Sequence, residues 1–293
     1  MEAGAAARRD TGPMTSTANS LSDKEFSLFQ EFMQQDAGVW LAPAKKALVA
    51  GRLMKRLRHY GLATYKEYFD YTTRGPGRAS GEYDVMIGLI TTHETHFFRE
   101  PQHFKFLSES VLSKWSAAYG TPFRVWSAAC SSGEEPYTLA MTLSEHFGGA
   151  PQNGGRPPFE VLASDIDQVV LQKAQTAVYP IDRAGEIPAE YLPRYFEKGV
   201  RSQAGTIRAA KPLRQAVRFM RVNLNEPLPR MPEFDAVFLR NVMIYFDAET
   251  KQKVVARLAG VLKKGGHLFV GHSETLNGVT DGLKLLRPSI YQK

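Results

Sequence analysis

The 293-residue chain has a single cysteine, Cys130, which excludes an internal disulfide framework and a cysteine-rich metal site. No apolar run approaches the ~20 residues that a membrane span needs, and the N-terminus lacks the hydrophobic segment of a secretory signal. These absences predict a soluble, cytoplasmic protein with no membrane insertion. Residues 1–20 are mostly Ala, Gly, Thr and Ser, and we expect them to be disordered.

Hydrophobic residues make up 43% of the chain, enough for a sizeable core in one large domain or in two unequal ones. Lysine and arginine number 37 against 30 acidic residues, a formal charge of +7. This excess suggests an acidic partner but does not identify one.

Residues 21–90 are predicted to form a helical N-terminal domain with a linker. Ser22 and Glu25 form a capping box before an apolar helical pattern. A second helix, residues 45–58, carries cations and no acid on one side: Lys45, Lys46, Arg52, Lys55, Arg56 and Arg58. A Gly- and Pro-rich stretch at 74–81 precedes a further helix at 82–90.

Short apolar runs then alternate with helical patterns through the rest of the chain, residues 91–293. The runs lie at 123–126, 159–163, 236–239 and 267–270, and the helices at 135–147, 167–175 and 248–262. This rhythm predicts a doubly wound α/β fold with a mostly parallel sheet covered on both faces. Residues 181–221 are basic and alternate around turns, which predicts a small antiparallel β insert.

Polar residues follow the predicted strands, at the carboxyl ends where ligands bind in such sheets. The first turn holds one glycine and two acids, Glu134 and Glu135, and the second strand ends at Asp165 and Asp167. These acids could simply stabilise helix N-termini. However, carboxylates repel phosphate, so a phosphate-free nucleoside with cationic groups fits better, and S-adenosylmethionine is one. His93, His96 and His103 lie close in sequence, but no tight acid cluster supports a metal there.

Five motifs in order resemble the CheR-type chemotaxis methyltransferases over residues 21–293. They are TTHETHFFR at 91–99, VWSAACSSGEEPY at 125–137, ASDID at 163–167, RNVMIYF at 240–246 and GHSE at 271–274. The resemblance implies a class I methyltransferase domain, a helical N-terminal domain and a β insert. It also implies methyl transfer from S-adenosylmethionine to glutamate side chains of chemoreceptors, with S-adenosylhomocysteine as the product.

By the same resemblance, the cofactor-binding residues would be His93, Thr95, Arg99, Glu135, Asp165, Asn223, Leu224, Asn241 and Val242. Arg99 and Tyr245 would be catalytic, and no metal is expected. The basic helix at 45–58 would face the acidic, helical receptor. Some family members also bind a receptor's C-terminal peptide at the insert, but Arg201 replaces a middle glycine here, which predicts weak or no binding.

The chain departs from the family at His93, where Asn is usual, and at Cys130, where a small residue is usual. Two other functions share the predicted cofactor site. A methyltransferase acting on RNA would use the basic helix to bind phosphates, but the chain lacks the Asn-Pro-Pro-Tyr signature and aromatic interleaving, so no nucleic acid partner is expected. A cofactor-binding sensor without catalysis would be expected to lack Arg99 or Tyr245. We expect a monomer.

Overall fold

The computed structural model describes residues 20–115, 121–148 and 158–293; the predicted disorder of the first residues falls almost wholly outside these ranges. The helices are α1 Asp23–Ala37, α2 Lys46–Tyr60, α3 Tyr65–Thr73, α4 Glu82–Ile90, α5 Gln102–Phe106, α6 Glu134–His146, α7 Gln168–Thr176, α8 Leu192–Tyr195, α9 Lys211–Gln215 and α10 Ala248–Val261. The strands are β1 Phe123–Ser127, β2 Phe159–Asp165, β3 Val178–Pro180, β4 Phe196–Lys198, β5 Thr206–Ala209, β6 Val217–Arg221, β7 Phe234–Leu239, β8 Leu262–Val270, β9 Lys284–Arg287 and β10 Ile290–Gln292. None of the described helices is both long and apolar enough to cross a bilayer.

Four helices, α1 to α4, form the N-terminal part of the described chain. The predicted capping box is confirmed, since the Ser22 side chain accepts from the Glu25 backbone and the Glu25 carboxylate accepts from Ser22. In α2 the buried side is Val49, Leu53 and Leu57. These residues follow i, i+4 spacing, and Leu48, one position before this stripe, is exposed.

Two arginines of the basic helix hold it to α4, and Lys46 forms an ion pair with Asp23 at 2.7 Å. Arg52 donates to the carbonyls of Leu89 and Thr91 at 3.0 and 2.6 Å. Arg56 pairs with the buried carboxylate of Glu82 at 2.7 and 2.5 Å. Both contacts tie α2 to the end and the start of α4, so these two arginines are not free for a partner. Lys55 and Arg58 are exposed.

The main sheet has seven strands in the order β6-β2-β1-β7-β8-β10-β9. The first five are parallel, and β10 and β9 complete the sheet in antiparallel pairing. The chain leaves β1 toward β2 and later returns to its other side as β7, so the strand order reverses between β1 and β7. Crevices at such reversals, at the carboxyl ends of the strands, are where ligands bind in this class of sheet.

The antiparallel insert is confirmed as a three-stranded sheet, β3-β5-β4, but it is placed earlier than predicted. It spans Val178 to Ala209, whereas Val217–Arg221 was wrongly assigned to it and is a strand of the main sheet, parallel to β2. As the edge strand, β6 has an exposed side, so its sequence alternates like an antiparallel strand.

One apolar cluster joins the N-terminal helices to a face of the main sheet. It runs from Phe29 and Leu53 through Trp126 and Leu239. At the contact between α4 and the turn before α7, Gly88 lies so close that an added Cβ would be 2.3 Å from Asp167 Oδ2. This packing brings the N-terminal segment against the carboxyl ends of the strands.

Candidate active site

A cavity of about 290 Å³ lies at the carboxyl ends of β1, β2 and β7, next to the reversal of strand order. Among its lining residues are all ten predicted site residues: His93, Thr95, Arg99, Glu135, Asp165, Asn223, Leu224, Asn241, Val242 and Tyr245. These residues span more than half of the sequence, and the fold brings them together in one cavity.

Glu135 stands in the first turn of α6, just after β1. One of its oxygens accepts from Ser127 Oγ at 2.7 Å, and the other lies 2.9 Å from Arg240 Nη1. The carboxylate is thereby fixed from two strand ends at once. Gly133, with a φ of 98°, is the N-cap of α6, and a Cβ added there would lie 2.8 Å from the Ala174 Cβ.

Asp165 ends β2 and is buried. Its oxygens accept the backbone N–H of Ser131 at 2.9 Å and of Asp167 at 3.0 Å. Burial raises the pKa of this carboxyl, although His93 and the two N–H donors favour the charged form. Ser131 adopts a φ of 50°, a strained conformation that aims its N–H at Asp165.

The segment between α4 and α5 carries the predicted catalytic arginine. Phe98 and Glu100 adopt φ values of 52° and 57°, so Arg99 stands between two left-handed residues. Arg99 is half-buried and donates to the Glu94 carbonyl at 2.8 Å. His93 lies 3.1 Å from Thr91 Oγ1 and 3.4 Å from Asp167 Oδ2, so its ring packs against the wall beside Asp165.

The turn after β7 carries Asn241, Val242 and Tyr245. Asn241 has a φ of 58°, and a buried carboxylate, Glu274, holds the turn. Glu274 accepts the backbone N–H of Gly271, Asn241 and Ile244 at 2.6, 2.9 and 3.3 Å. Burial raises the pKa of Glu274, against the effect of these N–H groups. The GHSE motif thus positions this turn through its glutamate.

Asn223 and Leu224 follow β6 on the far wall. The Asn223 amide donates to the Asp36 carbonyl at 2.7 Å, at the end of α1. Its side-chain oxygen accepts from the Asn225 backbone at 3.0 Å. The Asn223 side chain therefore links this wall to the N-terminal helices, which leaves fewer of its hydrogen-bonding positions for a ligand.

The N-terminal part supplies a wall that sequence reasoning missed. Val39 forms a β-bridge with Phe246, and the Trp40 N–H donates to the Tyr245 carbonyl at 2.8 Å. Trp40, Leu41 and Lys45 also line the cavity. No local pattern marks Trp40 as a cavity residue, because its role depends on how α1 and α2 dock on the sheet.

Arg240 and Glu100 are further residues that the predictions omitted. The Arg240 side chain, 2% exposed, lies 3.2 Å from Glu100 Oε2 and donates to the Arg99 carbonyl. Burial opposes ionisation of Glu100, but the Arg240 charge and hydrogen bonds from His272 and Asn241 hold its pKa below the usual value.

Within the described ranges, one group has ligand atoms close enough for a metal: Glu100, His103 and His272, within 4.8 Å of one another. Of the three histidines that lie close in sequence, His93, His96 and His103, only His103 belongs to this group. The Arg240 guanidinium already compensates Glu100, and a cation placed beside it would be repelled. We therefore assign Glu100 to an ion pair with Arg240 and not to a metal.

The cavity's chemistry suits S-adenosylmethionine. Apolar side chains, Ile166, Val222 and Leu224, can cover a purine ring. Two carboxylates, Glu135 and Asp165, match hydroxyl and cationic groups, and they disfavour phosphates. Arg99 and Lys45 bring positive charge for carboxylates.

Comparison with known proteins agrees with this chemistry. The family described as CheR methyltransferase, SAM binding domain, matches residues 93–291, and the CheR methyltransferase all-alpha domain matches residues 24–91. Chemotaxis protein methyltransferase 2 of Pseudomonas aeruginosa is 38% identical over 269 residues, 92% of each chain. The chemotaxis protein methyltransferase of Escherichia coli is 38% identical over 273 residues, 93% of this chain and 91% of that one. The Borreliella burgdorferi protein of the same name is 33% identical over 279 residues, 94% of this chain and 95% of that one.

Proposed function

The chain belongs to the CheR methyltransferase family, and we propose that it methylates glutamate side chains of chemoreceptors. It is an S-adenosylmethionine-dependent methyltransferase of chemotaxis. The proposed products are glutamate methyl esters and S-adenosylhomocysteine, in chemotactic adaptation. We place the reaction in the cytoplasm and expect the enzyme to act as a monomer.

The observation that carries this proposal is the meeting of two kinds of group in one cavity. Glu135 and Asp165 lie on the sheet side, and Arg99 and Tyr245 line the same cavity. The acids would hold the cofactor, together with His93, Thr95, Asn223, Leu224, Asn241 and Val242. When bound, S-adenosylmethionine supplies an activated methyl group.

A glutamate acceptor is already ionised at neutral pH, so its methylation requires no general base. The residues of the site have to align the carboxylate for in-line attack and exclude water. Arg99 would hold the incoming carboxylate by a charge-assisted fork, and Tyr245 would donate to the same oxygens or fix the cofactor. The left-handed residues on both sides of Arg99 support a positioning role.

Receptor docking by α2 would depend on its exposed cations. Since Arg52 and Arg56 are engaged within the fold, we assign the steering of an acidic receptor to Lys55 and Arg58. At the insert, Arg201 adopts a φ of 53°, a conformation that glycine accepts more readily. Arg201 lies in the turn that follows β4, and a side chain there supports the expectation of weak or no tail-peptide binding. Fluorescence anisotropy with a labelled aromatic-acidic peptide would measure it.

A methyl-labelling experiment tests the proposed acceptor. The enzyme is incubated with methyl-labelled S-adenosylmethionine and membranes that contain chemoreceptors, and the labelled protein is then treated with mild alkali. A carboxyl ester should release its label as methanol. Label that survives alkali, or that appears on RNA in the same extract, would reject glutamate as the acceptor.

A further inference from the structure

We propose that Trp40 and Ile244 form an apolar docking surface for the methyl-acceptor protein, specifically for the apolar side chains beside its target glutamate. This inference rests on the proposed function and adds to it a contact that helps select the substrate. We call these two residues the apolar rim.

The apolar rim is exposed at the mouth of the cavity. Trp40 is 56% exposed and Ile244 is 53% exposed, and both line the cavity. They come from two walls of the cavity, one from the segment after α1 and the other from the turn after β7. A hydrogen bond of 2.8 Å from the Trp40 N–H to the Tyr245 carbonyl joins the two walls. A large aromatic and a branched aliphatic side chain therefore stand exposed where a substrate must pass.

The backbone beneath both side chains is fixed. Val39 and Phe246, which flank the rim, are buried and bridge to each other. The Ile244 N–H is held by Glu274 at 3.3 Å. The rim thus presents its side chains from a rigid base, which lowers the entropic cost of binding.

A protein substrate would cover the apolar rim, because its target side chain is too short to enter the cavity alone. A glutamate side chain is only a few bonds long, so a carboxylate that reaches Arg99 and Tyr245 brings its own backbone to the mouth. Neighbouring side chains of the acceptor must then lie against Trp40 and Ile244. An acceptor helix with apolar residues one turn from the glutamate would bury them there, as amphipathic helices do in grooves.

Charge at the same mouth complements such an acceptor. Lys45 lines the cavity, and no acidic partner is found for it among the described side chains. A carboxylate on the acceptor would find Lys45 next to the apolar rim. The mouth therefore matches an acidic segment with apolar neighbours, and a small free carboxylic acid would leave the rim uncovered.

The test measures methyl transfer to the purified cytoplasmic fragment of a chemoreceptor. Trp40→Ala should raise the KM for this fragment about tenfold, since interface tryptophans contribute strongly when buried by a partner. The kcat and the calorimetric affinity for S-adenosylhomocysteine should stay near wild type. The KM of Trp40→Phe should lie close to the wild-type value. Ile244→Ala should raise the KM by a smaller factor than Trp40→Ala does.

Leu285→Ala is the matched control, because Leu285 is 50% exposed on β9 and does not line the cavity. An unchanged KM in Trp40→Ala would overturn this inference while the proposed function stands. An equal loss of S-adenosylhomocysteine affinity would also overturn it, since Trp40 would then cover the cofactor. A wild-type enzyme that forms no alkali-labile ester on the fragment would overturn the proposed function and this inference together.

Discussion

Arg240 Nη1 lies 2.9 Å from Glu135 Oε2, and the same buried guanidinium lies 3.2 Å from Glu100. One cation therefore joins the first turn of the sheet to the segment that carries Arg99. It also stacks over the Phe104 ring at 5.5 Å. This side chain therefore links the Glu135 side of the candidate site to its Arg99 side.

Removing Arg240 should affect both the fold and the site. Arg240→Ala leaves two carboxylates without their cation, so the free energy of unfolding should fall by about 3–5 kcal/mol. Arg240→Lys keeps the charge but cannot reach both carboxylates in a fork. We expect it to recover stability more than turnover, as measured by denaturation and initial rates. Equal recovery of both would show that the fork geometry is unimportant.

Asp165→Ala should weaken the binding of S-adenosylhomocysteine by about 1–3 kcal/mol, since a polar group of the ligand loses its partner. Calorimetry gives the affinity, and thermal unfolding without ligand reports separately on the lost contacts to Ser131 and Asp167. Asp281→Ala, an exposed acid away from the cavity, is the control. Unchanged affinity would remove Asp165 from the site.

Arg99→Ala should lower turnover about a hundredfold, as loss of one preorganised donor does in other enzymes. Among the described contacts its side chain makes one hydrogen bond, to the Glu94 carbonyl, so stability should change by less than about 0.5 kcal/mol. Arg99→Lys should not restore full turnover, because a point charge lacks the planar fork. Arg218→Ala, an exposed arginine of β6, is the control. Near-normal turnover in Arg99→Ala would exclude a positioning role.

The fold followed from the sequence wherever the pattern was local. The four predicted strands and the helices α4, α6, α7 and α10 are confirmed within a few residues, because buried parallel strands and capped helices leave strong periodic signals. The prediction was wrong for β6, which was assigned to the antiparallel insert. As an edge strand of the main sheet, β6 has the alternating sequence pattern that is typical of antiparallel strands. The prediction also missed the engagement of Arg52 and Arg56, since their partners on α4 are known only once the helices pack.

The composition of the cavity was predictable to a similar degree. The family resemblance pointed to ten residues, which the fold brings into one cavity, and their roles there stay predictions. Arg240 belonged to a recognised motif, yet its link to Glu100 depends on the left-handed turn at residues 98–100. Trp40 carried no signal at all, because its place at the mouth is set by the docking of the N-terminal helices.

The buried His103 should make stability depend on pH. Burial, with the charge of Arg240 beside it, lowers the pKa of His103 from 6.5 to about 3, although Glu100 opposes this shift. Between these values the unfolded chain binds a proton that the folded chain does not, so stability should fall as pH drops below 6.5. The slope should approach about 1.4 kcal/mol per pH unit.

Denaturation between about pH 5 and pH 7 covers part of this window while Glu100 stays ionised. His103→Gln removes the titrating group, so its free energy of unfolding should vary less with pH than that of wild type. His272 and His267 are present in both proteins, so their contributions to the pH dependence of stability cancel in the comparison. The same slope in both proteins would mean that His103 is protonated in the folded state.

Peptide mapping of a methylated receptor would identify the side chains that this enzyme methylates. The receptor's cytoplasmic fragment is incubated with the enzyme and S-adenosylmethionine, digested at acidic pH to preserve esters, and sequenced by mass spectrometry. We expect one added methylene on glutamate side chains, formed about a hundredfold more slowly with the Arg99→Ala enzyme under matched conditions. Methylation of lysine or arginine, or of glutamate at an equal rate without Arg99, would contradict this expectation.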